Sequence, residues 1–203
     1  MKAIYLSLFT LLLMAFHGSI AANEAIESIQ TTQWSIGIGY HHFDKQSAID
    51  ECVDDEASRL TLQYGEQDGR LIFNFGMSSY LLKDYCQFDV VVVDGWGYRY
   101  RDRSYASNIG IFGELGYSFP ITPRKTHFNL LTGIEKSWSE REIGGCYNCY
   151  SENIDIEGVF YVKPELVFYT EQDFLIALSY QYFPNNEVKG GFSINFGMRT
   201  NMF

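Results

Sequence analysis

The feature that most constrains this chain is an alternation. From Trp34 to Met198 large apolar side chains recur on every second residue, with small or polar residues between them, in eight separate stretches. A period of two sends successive side chains to opposite faces of an extended strand, so each stretch reads as a half-buried β-strand and not as a helix. The first carries Trp34, Ile36, Ile38 and Tyr40; the second Leu60, Leu62 and Tyr64; the third Leu71, Phe73, Phe75 and Met77. The fourth carries Ile109, Ile111, Leu115, Tyr117 and Phe119, and the fifth Phe128, Leu130, Thr132, Ile134 and Trp138. Phe160 to Phe168, Phe174 to Tyr182 and Phe192 to Met198 complete the set.

The connections alternate as well. Short links at 66–70, 120–126 and 170–173 interleave with long ones at 44–57, 81–104 and 139–153 and a modest one at 184–189. All short turns then fall at one end of an even-stranded meander, the organisation of an outer-membrane barrel with short periplasmic turns and long extracellular loops. Each stretch has about the 9 to 11 residues that cross the hydrocarbon at a tilt. The sequence therefore predicts an all-β fold, an eight-stranded antiparallel up-and-down transmembrane β-barrel.

Residues 1–21 read as a cleaved signal peptide. Lys2 precedes the apolar run from Ala3 to Phe16, and Ser19 and Ala21 fit the small-residue cleavage rule. The run is shorter than the roughly 20 residues of a spanning helix, which disfavours an uncleaved anchor. Residues 22–33 read as a short periplasmic segment and 34–203 as the barrel. Removing Lys2 takes the formal charge from −10 to −11, which argues against a nucleic-acid partner.

Which face of the strands is inside? An apolar face can line a lipocalin-like ligand cavity, pack against a second sheet, or meet lipid. The opposite face decides. A water-exposed surface would be rich in Lys and Glu, but this one is mostly Gly, Ser, Asn and Thr, which suits a crowded lumen. Its few ionisable residues are His41, Arg59, Glu114, Glu135, Lys163, Glu165 and Arg199, near balance in sign and able to pair across the interior. On the apolar face only Lys136 is charged, near the outer end where its chain reaches the interface. Aromatic residues gather at the strand ends, as the two interfacial girdles of such barrels do.

With a leader, eight alternating strands, long outer loops and the terminal Phe203, the chain resembles the small outer-membrane barrels of the OmpA/OmpX type. The resemblance covers essentially the whole mature chain. It implies residence in the bacterial outer membrane among lipid and lipopolysaccharide, and handling by the barrel assembly machinery through Phe203.

The four cysteines fall in predicted extracellular loops, where exported thiols oxidise. Of three possible connectivities we favour Cys52 with Cys86, whose loops neighbour each other across one hairpin, and Cys146 with Cys149. A redox or zinc role for the C-Y-N-C stretch lacks a helix to open or further ligands. In the second loop Asp94-Gly95 predicts a hairpin that carries the wall above the membrane. Arg99, Arg101 and Arg103 beyond it offer guanidinium groups to lipopolysaccharide phosphates or an acidic surface partner, or simply line a solvated edge strand. The first loop is acidic but lacks the ligand spacing of an EF-hand. No metal and no cofactor are expected.

Lipid A deacylases resemble this chain in size and use a Ser and His close together on one strand. His127-Phe128-Asn129 has no Ser two residues on and sits at the periplasmic end; His41 and His42 have no nearby Ser. The sequence thus predicts a non-enzymatic barrel serving envelope integrity, adhesion or another surface interaction, with an extracellular or host ligand. The alternatives are a lipid A-modifying hydrolase and a periplasmic ligand-binding barrel.

Overall fold

The structure, a computed structural model, describes residues 30–201 apart from 94–95, 123–124, 144–150, 157 and 185–186. Its elements are β1 (Gln30–Phe43), α1 (Lys45–Asp50), β2 (Glu56–Asp68), β3 (Leu71–Leu81), β4 (Asp89–Val93), β5 (Arg99–Thr122), β6 (Thr126–Ile143), β7 (Glu152–Asn153), β8 (Phe160–Tyr169), β9 (Phe174–Tyr182) and β10 (Val188–Asn201). Eight of the strands form a ring in the order β1-β2-β3-β5-β6-β8-β9-β10, and β10 returns to pair antiparallel with β1. Trp34 stands opposite Met198, Ile36 opposite Phe196, Ile38 opposite Ile194 and Tyr40 opposite Phe192. The described helix is far too short to cross a membrane. The strands do the crossing.

The apolar face is the outside. Ile36, Phe75 and Ile134 are 65%, 61% and 64% exposed, whereas the inward His41 and Tyr161 are 0% exposed. In water such a surface would be an aggregation site; as a closed belt it dissolves in lipid, where each strand satisfies its backbone groups on its neighbours. Edge and tilted ring contacts thicken the belt near its rims, Trp34 with Tyr64 at 4.8 Å and Tyr117 with Phe119 at 5.0 Å at one, Tyr180 with Phe192 at 4.7 Å at the other.

Several strands run further than the sequence reading. β1 starts at Gln30, four residues before Trp34, because Thr31, Thr32 and Gln33 continue both ladders, to Asn201, Thr200 and Arg199 on one side and Gln67, Glu66 and Gly65 on the other. β5 begins at Arg99 and β6 runs on to Ile143, beyond the apolar alternation, so the wall rises above the belt. The hairpin expected there forms, Asp89 pairing with Arg103 through to Val93 with Arg99, although Asp94-Gly95 lie outside the described residues. The tight turn between β2 and β3 places Gly69 at φ +58°, a left-handed conformation that glycine adopts without a Cβ penalty.

Ile134→Arg, on the exposed mid-strand face of β6, is expected to destabilise the barrel by about 2 to 4 kcal/mol if it lies at the bilayer midplane. Reversible urea unfolding in phospholipid bilayers measures it. The same change at a lumenal Ser would not follow the bilayer depth.

Candidate functional site

An eight-stranded ring encloses just enough width for its own side chains. Two charge clusters fill it. Arg59, on β2, places Nη2 2.8 Å from Glu135 on β6 and donates from Nη1 to Gln181 Oε1 at 2.5 Å. Ser78 donates to the other Glu135 oxygen at 2.5 Å. The rings of Tyr80 and Phe112 flank the guanidinium at 5.6 and 5.5 Å. In the second cluster Lys163 Nζ lies 2.6 Å from Glu114, which also accepts from Asn74 and Tyr161 at 2.8 Å each. Glu165 lies 3.8 Å from Lys163 and accepts from Asn129 at 3.0 Å.

Two glycines make this crowding possible. A Cβ on Gly133 would stand 2.4 Å from the Tyr161 ring, and one on Gly76 2.6 Å from that of Phe112. Among the polar residues between the clusters a void of only about 10 Å³ remains. That is room for about one water, so among the described residues the interior offers neither a solute channel nor a ligand cavity, and nothing there supports the periplasmic binding-barrel reading. The lumen is not uniformly polar, however: Val167, Tyr169, Leu175 and Ala177 form an apolar cluster at the short-turn end.

The outer mouth is covered by the loops themselves. Phe43, Ala48 and Val53 from the first loop region, Ile154 and Ile156 from the third and Phe183 and Val188 from the fourth bury one another over Tyr80 and Tyr161. The expected Cys52–Cys86 disulfide ties the first two loops. Beside it Val53 bridges Asp84, and Tyr85 N donates to Cys52 O at 2.8 Å.

Arg141 joins three of the loops. Its Nε donates to both oxygens of the buried Asp84 at 3.0 and 2.9 Å, Nη1 to Glu152 at 2.8 Å, and Nη2 to the Glu51 carbonyl at 2.9 Å. Asp44 caps α1 and binds Lys189 of the fourth loop region at 3.1 Å. This Lys189 contact and the Ser47 amide hold the Asp44 carboxyl below its usual range. Four other loop-1 acids also take local partners: Asp50 with Gln46, Asp54 with Lys83 and Tyr85, Asp55 with Lys45, Glu56 with His42 and Tyr40.

Of the seven lumenal residues expected, Arg59, Glu114, Glu135, Lys163 and Glu165 converge as described. His41 points inward and is fully buried, flanked by Tyr80 at 5.5 Å and Phe183 at 6.3 Å, outside the ion pairs. Arg199 sits at the periplasmic rim, 2.8 Å from Asp173 and over the Tyr169 ring at 4.1 Å, so it closes a turn and does not join the network. Arg99, Arg101 and Arg103 share the outward phase of β5 above the belt, all exposed, with Arg103 3.1 Å from Asp89. Cys146, Cys149 and Phe203 lie outside the described residues.

Sequence reasoning missed Arg141 and Asp84. The signal for Arg141 was its inward phase on β6, six residues past Glu135. It also missed that Ser118 Oγ and His127 Nδ1 stand 3.0 Å apart, brought together by the β5–β6 ladder. Ser118 is 1% exposed, no acidic group engages His127 Nε2 among the described residues, and the pair lies at the short-turn end, so it has no access to lipid in the outer leaflet. A nucleophile needs both an oriented base and a substrate path.

Glu135→Leu alone is expected to cost about 3 to 5 kcal/mol, because it strands a buried guanidinium, while adding Arg59→Met restores most of that loss. Bilayer unfolding midpoints of the single and double variants check this. Because the folded Asp44 carboxyl lies below its ordinary value of about 3.9, its tie to Lys189 is intact above that value and is lost as pH falls through the lower, folded-state value. Lys189→Gln should move the midpoint of the Asp44 titration upward, followed by carboxyl NMR shifts and by exchange of the Ser47 amide.

No protein-family model and no curated protein matches the sequence. Among solved structures the chain is similar to Neisserial surface protein A, at 12% identity and a TM-score of 0.50, over 85% of this chain and 97% of that one. It is also similar to Ail, the attachment invasion locus protein of Yersinia pestis, at 14% identity and a TM-score of 0.49, over 85% and 99%. At 12% identity the likeness to the Neisserial protein is one of fold. Taken with the closed ring, the lipid-facing belt and the plugged lumen, it makes this chain, in fold, a small eight-stranded barrel of the bacterial outer membrane, similar to the OmpA/OmpX type.

Proposed function

We propose that the chain is a non-enzymatic barrel whose outward loops are its working part, acting by surface interaction and contributing to envelope integrity. One observation carries the reading. The lumen is filled by paired side chains and its mouth is closed by a packed, disulfide-tied cap, so what the molecule offers to its surroundings is the outer surface of that cap and the hairpin beside it. Ordering the loops in advance lowers the entropic cost of engaging a partner. The exposed Arg99, Arg101 and Arg103 suit phosphate groups of lipopolysaccharide or an acidic partner, since guanidinium pairs with such oxyanions bidentately. Phe203 is proposed as the assembly signal.

The test separates cap from barrel. The combined Cys52→Ser, Cys86→Ser and Arg141→Ala variant should keep the heat-modifiable gel migration of a folded barrel while cells expressing it lose the surface attachment or detergent resistance that the intact chain confers. Lipid A mass spectra should be the same with and without the intact chain. Loss of an acyl chain on expression would replace this reading with the hydrolase.

A further inference from the structure

The cap carries a concavity that its loops leave open. Between α1 and the start of the second outer loop lies a hollow of about 420 Å³ whose floor is apolar, formed by Ala48, Ile49, Val53 and the Tyr85 ring. Binding sites for small groups run from roughly 300 to 1,000 Å³. Ile49 and Tyr85 are 68% and 61% exposed, so this floor is wet and gains by being covered. The hollow is also fixed in shape. The disulfide at Cys52, the Val53–Asp84 bridge and the Asp54 N to Lys83 O bond at 3.0 Å hold its two walls together, and Arg141 anchors Asp84 beneath them.

The rim selects by charge. Asp54 and Asp55 stand on it together with Lys45, within a stretch, residues 44–56, that holds six acids against that one lysine, a net charge of −5. The cations now near them sit at the surface: Lys45 is 4.0 Å from Asp55, and Lys83 is 3.8 Å from Asp54 and 5.0 Å over the Tyr85 ring, both with largely exposed side chains. Exposed pairs of this length contribute little, so an incoming cation can displace them. Tyr85 donates to Asp54 at 3.0 Å and keeps that carboxylate at the edge of the apolar floor.

We propose that this hollow binds a cationic segment of another polypeptide, one aliphatic side chain entering it while a flanking Lys or Arg meets Asp54 and Asp55. The proposal rests on the cap being the outward working face. It is read by binding alone, so its failure would leave the attachment and lipid A results above unaffected.

The experiment uses the full mature chain in zwitterionic phosphatidylcholine nanodiscs, with the methyl NMR signals of Ile49 and Ala48 as the readout. End-blocked Gly-Lys-Leu-Lys-Gly should shift them saturably, and both Gly-Lys-Gly-Lys-Gly and Gly-Glu-Leu-Glu-Gly should bind at least about tenfold more weakly, since either the apolar or the charged part is lost. Asp54→Asn with Asp55→Asn should weaken the Lys-Leu-Lys peptide about tenfold and flatten its salt dependence. Ile49→Lys, at an exposed position that the fold does not need, should abolish binding. Equal affinity for the Gly-centred peptide, equal affinity for the Glu peptide, binding that survives Ile49→Lys, or no saturable shift by about 10 mM would each overturn the proposal.

Discussion

A sheet in hydrocarbon can leave no edge unpaired, because an amide or carbonyl without a partner there costs several kcal/mol and no water is at hand to take it. The pairing of β10 with β1 is therefore the contact on which the rest depends. It closes the wall with Trp34 against Met198 and Tyr40 against Phe192, and it fixes the ring at eight strands. That number sets the width, and the width sets the contents. Two of the large inward rings fit because a glycine faces each, as Gly133 faces Tyr161 and Gly76 faces Phe112. Charges fit only in pairs, as Arg59 with Glu135 and Lys163 with Glu114.

The plug and the cap are continuous. Tyr80 and Tyr161 belong both to the lumen, where they flank Arg59 and bind Glu114, and to the apolar cluster under the loops. Above that cluster the loops are exposed to water, where surface ion pairs contribute little. The loops instead use a disulfide, a small core and one buried cation, Arg141, that serves a carboxylate from the second loop, a carboxylate from the third and a carbonyl from the first. Long connections that would otherwise move freely are thereby held in a defined surface.

The barrel was legible in the sequence because a period of two is a local property and closure repeats it eight times. The same alternation, read for the chemistry of its non-apolar face, identified Arg59, Glu114, Glu135, Lys163 and Glu165 as interior. Their pairings were not legible, since Arg59 and Glu135 lie on strands that share no ladder and meet only across the lumen. Arg199 kept the inward phase but stands so near the rim that Asp173, in a turn, reaches it first. The cap was illegible for a different reason. Val53, Ile154 and Ile156 are isolated apolar residues in polar loops, with no period to mark them, and only the three-dimensional meeting of three loops makes them a core.

This division decides where specificity can reside. Inside the wall the charged groups of Arg59, Glu135, Lys163 and Glu114 are committed to one another, and a substitution there strands its partner at a cost of several kcal/mol. On the lipid face any sufficiently apolar residue serves, because lipid tails do not discriminate among Leu, Ile and Phe. Neither surface can therefore carry recognition. The cap can, because its fold is secured from below by Arg141 and Asp84 while the side chains of Lys45, Ile49 and Tyr85 above them are exposed. A chain built this way can change what it binds without changing how it stands in the membrane.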